Sequence, residues 1–112
     1  MKQSEFTQYF GILEDETSAI FAQYPMLDDT SISEVSAVLS VFCEFDISII
    51  DAKTLGYSMP QILLLSPSQL RQKLTEISQE YQARGGRLLQ VIFHAPNILI
   101  DYQTTETKIY LF

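Results

Sequence analysis

Three prolines, Pro25, Pro60 and Pro96, stand 35 and 36 residues apart, each inside a similar local sequence: IFAQYPML, LGYSMPQIL and VIFHAPNIL. A period of that length suits a helical repeat. Proline lacks an amide proton and pushes the residue before it out of helical geometry, so each of these positions should interrupt a helix at the same point of its unit. A chain punctuated in this way is expected to fold as a series of short helices.

The segments between the prolines carry helical periodicity. Ser66 is a good N-cap and Pro67 suits the first helical position, so a helix is predicted from there, with Leu70, Leu74, Ile77 and Tyr81 on one face and Gly85 at its end. Ser31 and Glu34 have capping-box spacing and open a helix in which Val35, Val38, Leu39 and Phe42 recur at core spacing. Earlier, Ser4 is expected to cap a helix over residues 5–13, and Asp15 or Thr17 to start a second one ending before Pro25. The MLDDTS stretch that follows reads as a turn. Residues 47–55 read as a short helix stopped by Gly56, or as a strand, and residues 87–94 as a buried helix or a core strand. Ile62 to Leu65 are apolar on every side and are expected to be buried.

A chain of 112 residues with 46% apolar content can bury a core without disulfide or metal staples. A single domain over 1–112 is expected. The predicted class is all-α, a small bundle or short solenoid of about six helices; the alternative is α+β, with residues 87–112 forming a hairpin. Cys43 is the sole cysteine, and MKQSEFTQYF does not resemble a signal peptide, so a reducing compartment, the cytoplasm, is expected. The densest apolar runs, 62–65 and 88–93, are far shorter than the roughly 20 residues that span a bilayer, so no membrane association is expected.

After Pro60, Leu63, Leu70 and Ile77 recur every seven residues. This pattern resembles the repeat of the mitochondrial transcription termination factor (mTERF) family, in which a proline is followed by leucines at that interval. The likeness spans most of the chain and is clearest over residues 55–99. In the first unit Asp28 stands at the first leucine position, followed by Val35 and Phe42; in the last, Leu99 fits and Glu106 does not. The resemblance implies short helices stacked into a curved solenoid with a nucleic-acid-binding concave face, in a mitochondrion or chloroplast.

Charge points elsewhere. The net charge is -7, and residues 1–51 hold ten of the fourteen acids with only Lys2 to offset them, whereas residues 52–112 hold six bases and four acids. An acidic half repels a phosphate backbone and suits a basic protein surface. The nucleic-acid alternative rests on one basic cluster, Arg71, Lys73, Arg84 and Arg87.

Catalytic constellations are not recognisable. His94 is the only histidine, so no histidine pair can ligate zinc, and it is expected to cover a helix end. Cys43, among Val41, Phe42 and Phe45, is expected to be an inert apolar thiol; a Cys43–His94 dyad is the enzymatic alternative. Glu14, Asp15, Glu16, Asp28 and Asp29 read as helix-end carboxylates able to meet a basic partner. Ile109, Tyr110, Leu111 and Phe112 make an apolar terminus expected to dock, enter a partner or form a homo-oligomer. The expected function is therefore a non-enzymatic acidic protein-binding module of adaptor, chaperone-like or immunity-inhibitor type, using no cofactor. Its candidate contacts are the five acids with Tyr110 and Phe112.

Overall fold

A computed structural model describes residues 1–95 and 98–101 of the chain. Seven α-helices occur among them: α1 (Gln3–Phe10), α2 (Glu14–Gln23), α3 (Ile32–Cys43), α4 (Ile49–Ser58), α5 (Pro67–Tyr81), α6 (Gly85–His94) and the short α7 (Ile98–Asp101). Two 3₁₀ turns, Pro25–Asp29 and Pro60–Leu64, separate α2 from α3 and α4 from α5. The described residues contain no strand, and the all-helical class holds. No helix among them is long and apolar enough to cross a membrane.

The proline period is a period of structure. Helices α2, α4 and α6 each begin eleven positions before a repeat proline and end two before it, and α3 and α5 each begin seven after one. The residue ahead of each proline leaves the helical region in the same way: φ/ψ is -126/71 at Tyr24, -131/77 at Met59 and -135/74 at Ala95. Their amides still donate to the carbonyls of Ile20, Leu55 and Val91, at 2.8, 2.8 and 3.1 Å. Their own carbonyls then accept from the amides of Leu27, Ile62 and Ile98, at 3.0, 3.0 and 2.9 Å. Steric exclusion by the proline ring sets this corner, and the chain repeats it three times.

Burial recurs in the same register. Eight positions before the prolines stand Thr17, Ala52 and Leu88, all fully buried. After them, Leu27 and Ile62, Val35 and Leu70, Leu39 and Leu74, and Phe42 and Ile77 occupy matching positions in the core. The i, i+4, i+7 spacing within α3 and α5 places these side chains on one stripe, which is why the two helices pack side by side. Asp28 is exposed at the first leucine position of its unit, where the second unit buries Leu63, so the first unit buries only Leu27 of the two turn positions that Ile62 and Leu63 fill in the second.

Aromatic rings close the N-terminal side. Phe6 lies 4.5 Å from Phe10 and 5.3 Å from Phe21 between ring centroids, and Phe10 meets Tyr57 edge-on. Thr17 is the buried polar exception, and its hydroxyl accepts from that of Thr7 at 2.7 Å, so burial leaves no unmet hydrogen bond there.

Several local expectations are corrected. Helix α1 stops at Phe10 because Gly11 adopts left-handed geometry, φ 66, leaving Leu13 as the exposed N-cap of α2. The MLDDTS stretch is largely a 3₁₀ turn rather than an irregular one. Residues 49–58 are helical, with Ser48 as cap, and Gly56 continues the helix instead of stopping it. A Cβ there would lie 3.2 Å from atoms of Leu39, Leu63 and Phe10, so glycine permits close packing of α4. Ile62 and Leu63 are buried as expected, but Leu64 and Leu65 are only partly so. Gln82, not Gly85, takes the left-handed position after α5; Gly85, φ 56, starts α6. Residues 87–94 are helical, while residues 102–112 lie outside the described residues.

Candidate functional site

The five predicted acids divide into two groups. Glu14, Asp15 and Glu16 form the exposed first turn of α2, whose N-cap Leu13 offers no side-chain acceptor. Their carboxylates complement the positive end of the helix in its stead. Asp28 and Asp29 sit on the 3₁₀ turn beyond the other end of α2, so the helix length of about 15 Å separates the groups. No ion pair among the described residues engages any of the five. Corresponding first turns change character along the repeat: Glu14-Asp15-Glu16 in α2, Ile49-Ile50-Asp51 in α4 and Gly85-Gly86-Arg87 in α6.

The predicted basic cluster is partly neutralised by the preceding unit. Arg71 on α5 donates twice to Glu44, Nε to Oε1 at 2.9 Å and a terminal nitrogen to Oε2 at 2.8 Å. Hydrogen bonding to Arg71 holds the Glu44 carboxyl below its usual range, and the same bonds raise the guanidinium of Arg71. Arg84, the residue before α6, donates to Asp46 at 3.0 Å and to the Glu44 carbonyl, with its guanidinium 5.4 Å from the Phe45 ring centroid. The amide of Gly85 donates to the Phe45 carbonyl at 2.8 Å. The loop after α3 thus clamps the α5–α6 junction. Glu44 and Asp46 escaped the sequence reading because 27 and 38 residues separate them from their arginines, with no local pattern to couple them.

Arg87 lines a surface groove of about 380 Å³ with Tyr81, Ala83, Gln90, Val91, His94 and Ala95. Tyr81, expected on the core face of its helix, is 47% exposed at the end of α5. Lys73 is partly buried on α5 and is not among the groove residues. The cluster of four is therefore not one site.

Cys43 is exposed, which corrects the expectation of an apolar thiol: as the last residue of α3 it lies about 100° around the helix from buried Phe42. His94 is the exposed last residue of α6, and Cys43 is not among the residues lining its groove. Among the described residues no group of three or more His, Cys, Asp or Glu is placed to hold a metal ion. Tyr110 and Phe112, the proposed C-terminal contacts, lie outside the described residues. Comparison with known proteins finds no matching family model, no matching curated protein and no matching solved structure.

Proposed function

We propose that this chain is a non-enzymatic helical-repeat module that binds a basic protein partner, as an adaptor, chaperone-like protein or immunity-type inhibitor in the cytoplasm. One observation carries the reading: Arg71 and Arg84 are occupied by Glu44 and Asp46, whereas Glu14, Asp15, Glu16, Asp28 and Asp29 are left to solvent without an ion pair among the described residues. The charge offered to an incoming molecule is then chiefly negative, which steers cationic surfaces and repels phosphate. Affinity purification from native extract at low and high salt tests it. A basic protein released by salt, and lost when Glu14, Asp15 and Glu16 become Lys or Asp28 and Asp29 become Lys, is the expected result; recovery of the bait alone, or of the same proteins with both variants, counts against it.

The mTERF likeness supports a second reading, nucleic-acid binding. The threefold recurrence of the helix–proline–helix corner is what favours it, together with Arg87, His94 and half-exposed Tyr81 along one groove, where a cation and an aromatic ring suit a single strand. It predicts salt-dependent binding of labelled oligonucleotides that weakens when Arg71, Lys73, Arg84 and Arg87 become Ala. Absence of binding at low salt would exclude it.

A further inference from the structure

A second groove, of about 530 Å³, runs between the first unit and the second. One wall comes from the Pro25–Asp29 turn and α3, with Met26, Glu34 and Val38; the other comes from the Pro60–Leu64 turn and the start of α5, with Leu63, Leu64 and Leu65. No lysine or arginine lines it. The two turns occupy equivalent places in the repeat but read PMLDD and PQILL, so the first presents methionine and two acids where the second presents glutamine and two leucines.

Met26 is 62% exposed at the position where the second unit carries Gln61. Exposed Met26 lines the same groove as partly buried Leu64 and Leu65, and methionine is the side chain that best adapts to varied apolar contacts. Asp28 and Asp29 are exposed on the same turn, and Glu34, whose carboxylate also accepts from Ser31, lies within the groove; these three acids outweigh the single Met1 ammonium bonded to the carbonyls of Asp28 and Thr30.

Resting on the basic-partner reading above, we propose that this groove receives a cationic amphipathic segment of the partner, its apolar side chains on Met26, Leu64 and Leu65 and its Lys or Arg side chains toward Asp28, Asp29 and Glu34. Charge complementarity selects this occupant over an acidic one: no lysine or arginine lines the groove, and the one cation on its rim, the Met1 ammonium, is already held by the carbonyls of Asp28 and Thr30. An amphipathic helix laid into a groove uses this combination of apolar anchors and flanking charge.

The test is fluorescence anisotropy of the full chain with a labelled peptide that places Leu on one helical face and Lys on the other, run beside a peptide with Ser for Leu and one with Glu for Lys. Methyl NMR of Met26, Leu64 and Leu65 reports the location. Saturable binding of the Leu/Lys peptide alone, with shifts at those methyls, is expected, and Met26→Gln or Leu64→Gln should weaken it about tenfold, as loss of an interface anchor does. Circular dichroism confirms that these exposed-site variants remain folded. Equal binding of the Ser peptide, or binding that is unmoved by M26Q and L64Q but lost on E14K/D15K/E16K, overturns the groove while leaving the basic-partner reading intact. Failure of both Lys-bearing peptides to bind at low salt overturns the two together. Groove methyls that shift with protein concentration alone assign the groove to a second copy of the chain and overturn the proposal.

Discussion

Arg71 grips Glu44 through two hydrogen bonds, of 2.9 and 2.8 Å, tying the first third of α5 to the residue that follows α3. Both side chains are about half exposed, so the pair acts as a solvent-screened latch between units rather than a buried anchor. Glu44 has its carboxyl lowered by this partner, and a carboxyl lowered in the folded state contributes stability above its unfolded pKa that disappears as pH falls through the folded value. Glu44→Gln should therefore lower Tm modestly at neutral pH, with the difference from wild type closing in acid and shrinking in high salt. Tm profiles of both proteins against pH and salt check this.

Two glycines should respond oppositely to alanine. At Gly56 the new methyl would press on Leu39, Leu63 and Phe10 at once, and overpacking should outweigh the gain in helix propensity, for a net loss of about 1 kcal/mol. Gly86, in the first turn of α6, has nothing within 4 Å of the added Cβ, so Gly86→Ala should stabilise by about 0.5 kcal/mol. Urea denaturation of G56A and G86A reads both signs.

Equivalent positions of the repeat should be of equal weight. Leu39 and Leu74 are fully buried at matching places in α3 and α5, and replacing either by Ala should cost about 2–5 kcal/mol. Ser66→Ala, which removes the acceptor of the Gln69 amide, should cost about 1 kcal/mol. Chemical denaturation of the three variants checks the ranking, with S66A the mildest.

Cys43 should react in the native state. Its exposure at the end of α3 predicts stoichiometric labelling by a soluble disulfide reagent without denaturant, at a rate close to that of the unfolded chain. Protection that is lost only on unfolding would contradict the exposed position.

The groups proposed to meet a partner were partly legible. Glu14 to Glu16 and Asp28 to Asp29 are visible as acids beside helix ends, and the structure keeps them there. What the one-dimensional pattern concealed is the fate of the arginines: Arg71 and Arg84 read as available cations until folding brings the loop after α3 onto the α5–α6 junction. Pairing across 27 or 38 residues has no periodicity to announce it. The groove shared by Met26 and Leu64 was hidden for the same reason, since its two walls belong to different units.

Sequence by itself determined the proline corners and the buried stripes of α3 and α5, because capping, proline sterics and i, i+4, i+7 spacing act within a few residues of the chain, whereas residues 49–58 and 87–94, readable as helix or strand, were settled as helices by the structure. Only the tertiary structure decided that Gly56 continues a helix and that Gln82 rather than Gly85 takes the left-handed position after one. Each of these depends on which neighbouring element fills the space beside the residue: at Gly56 it is the side chains of Phe10, Leu39 and Leu63, and at Gly85 it is the backbone of Asp46.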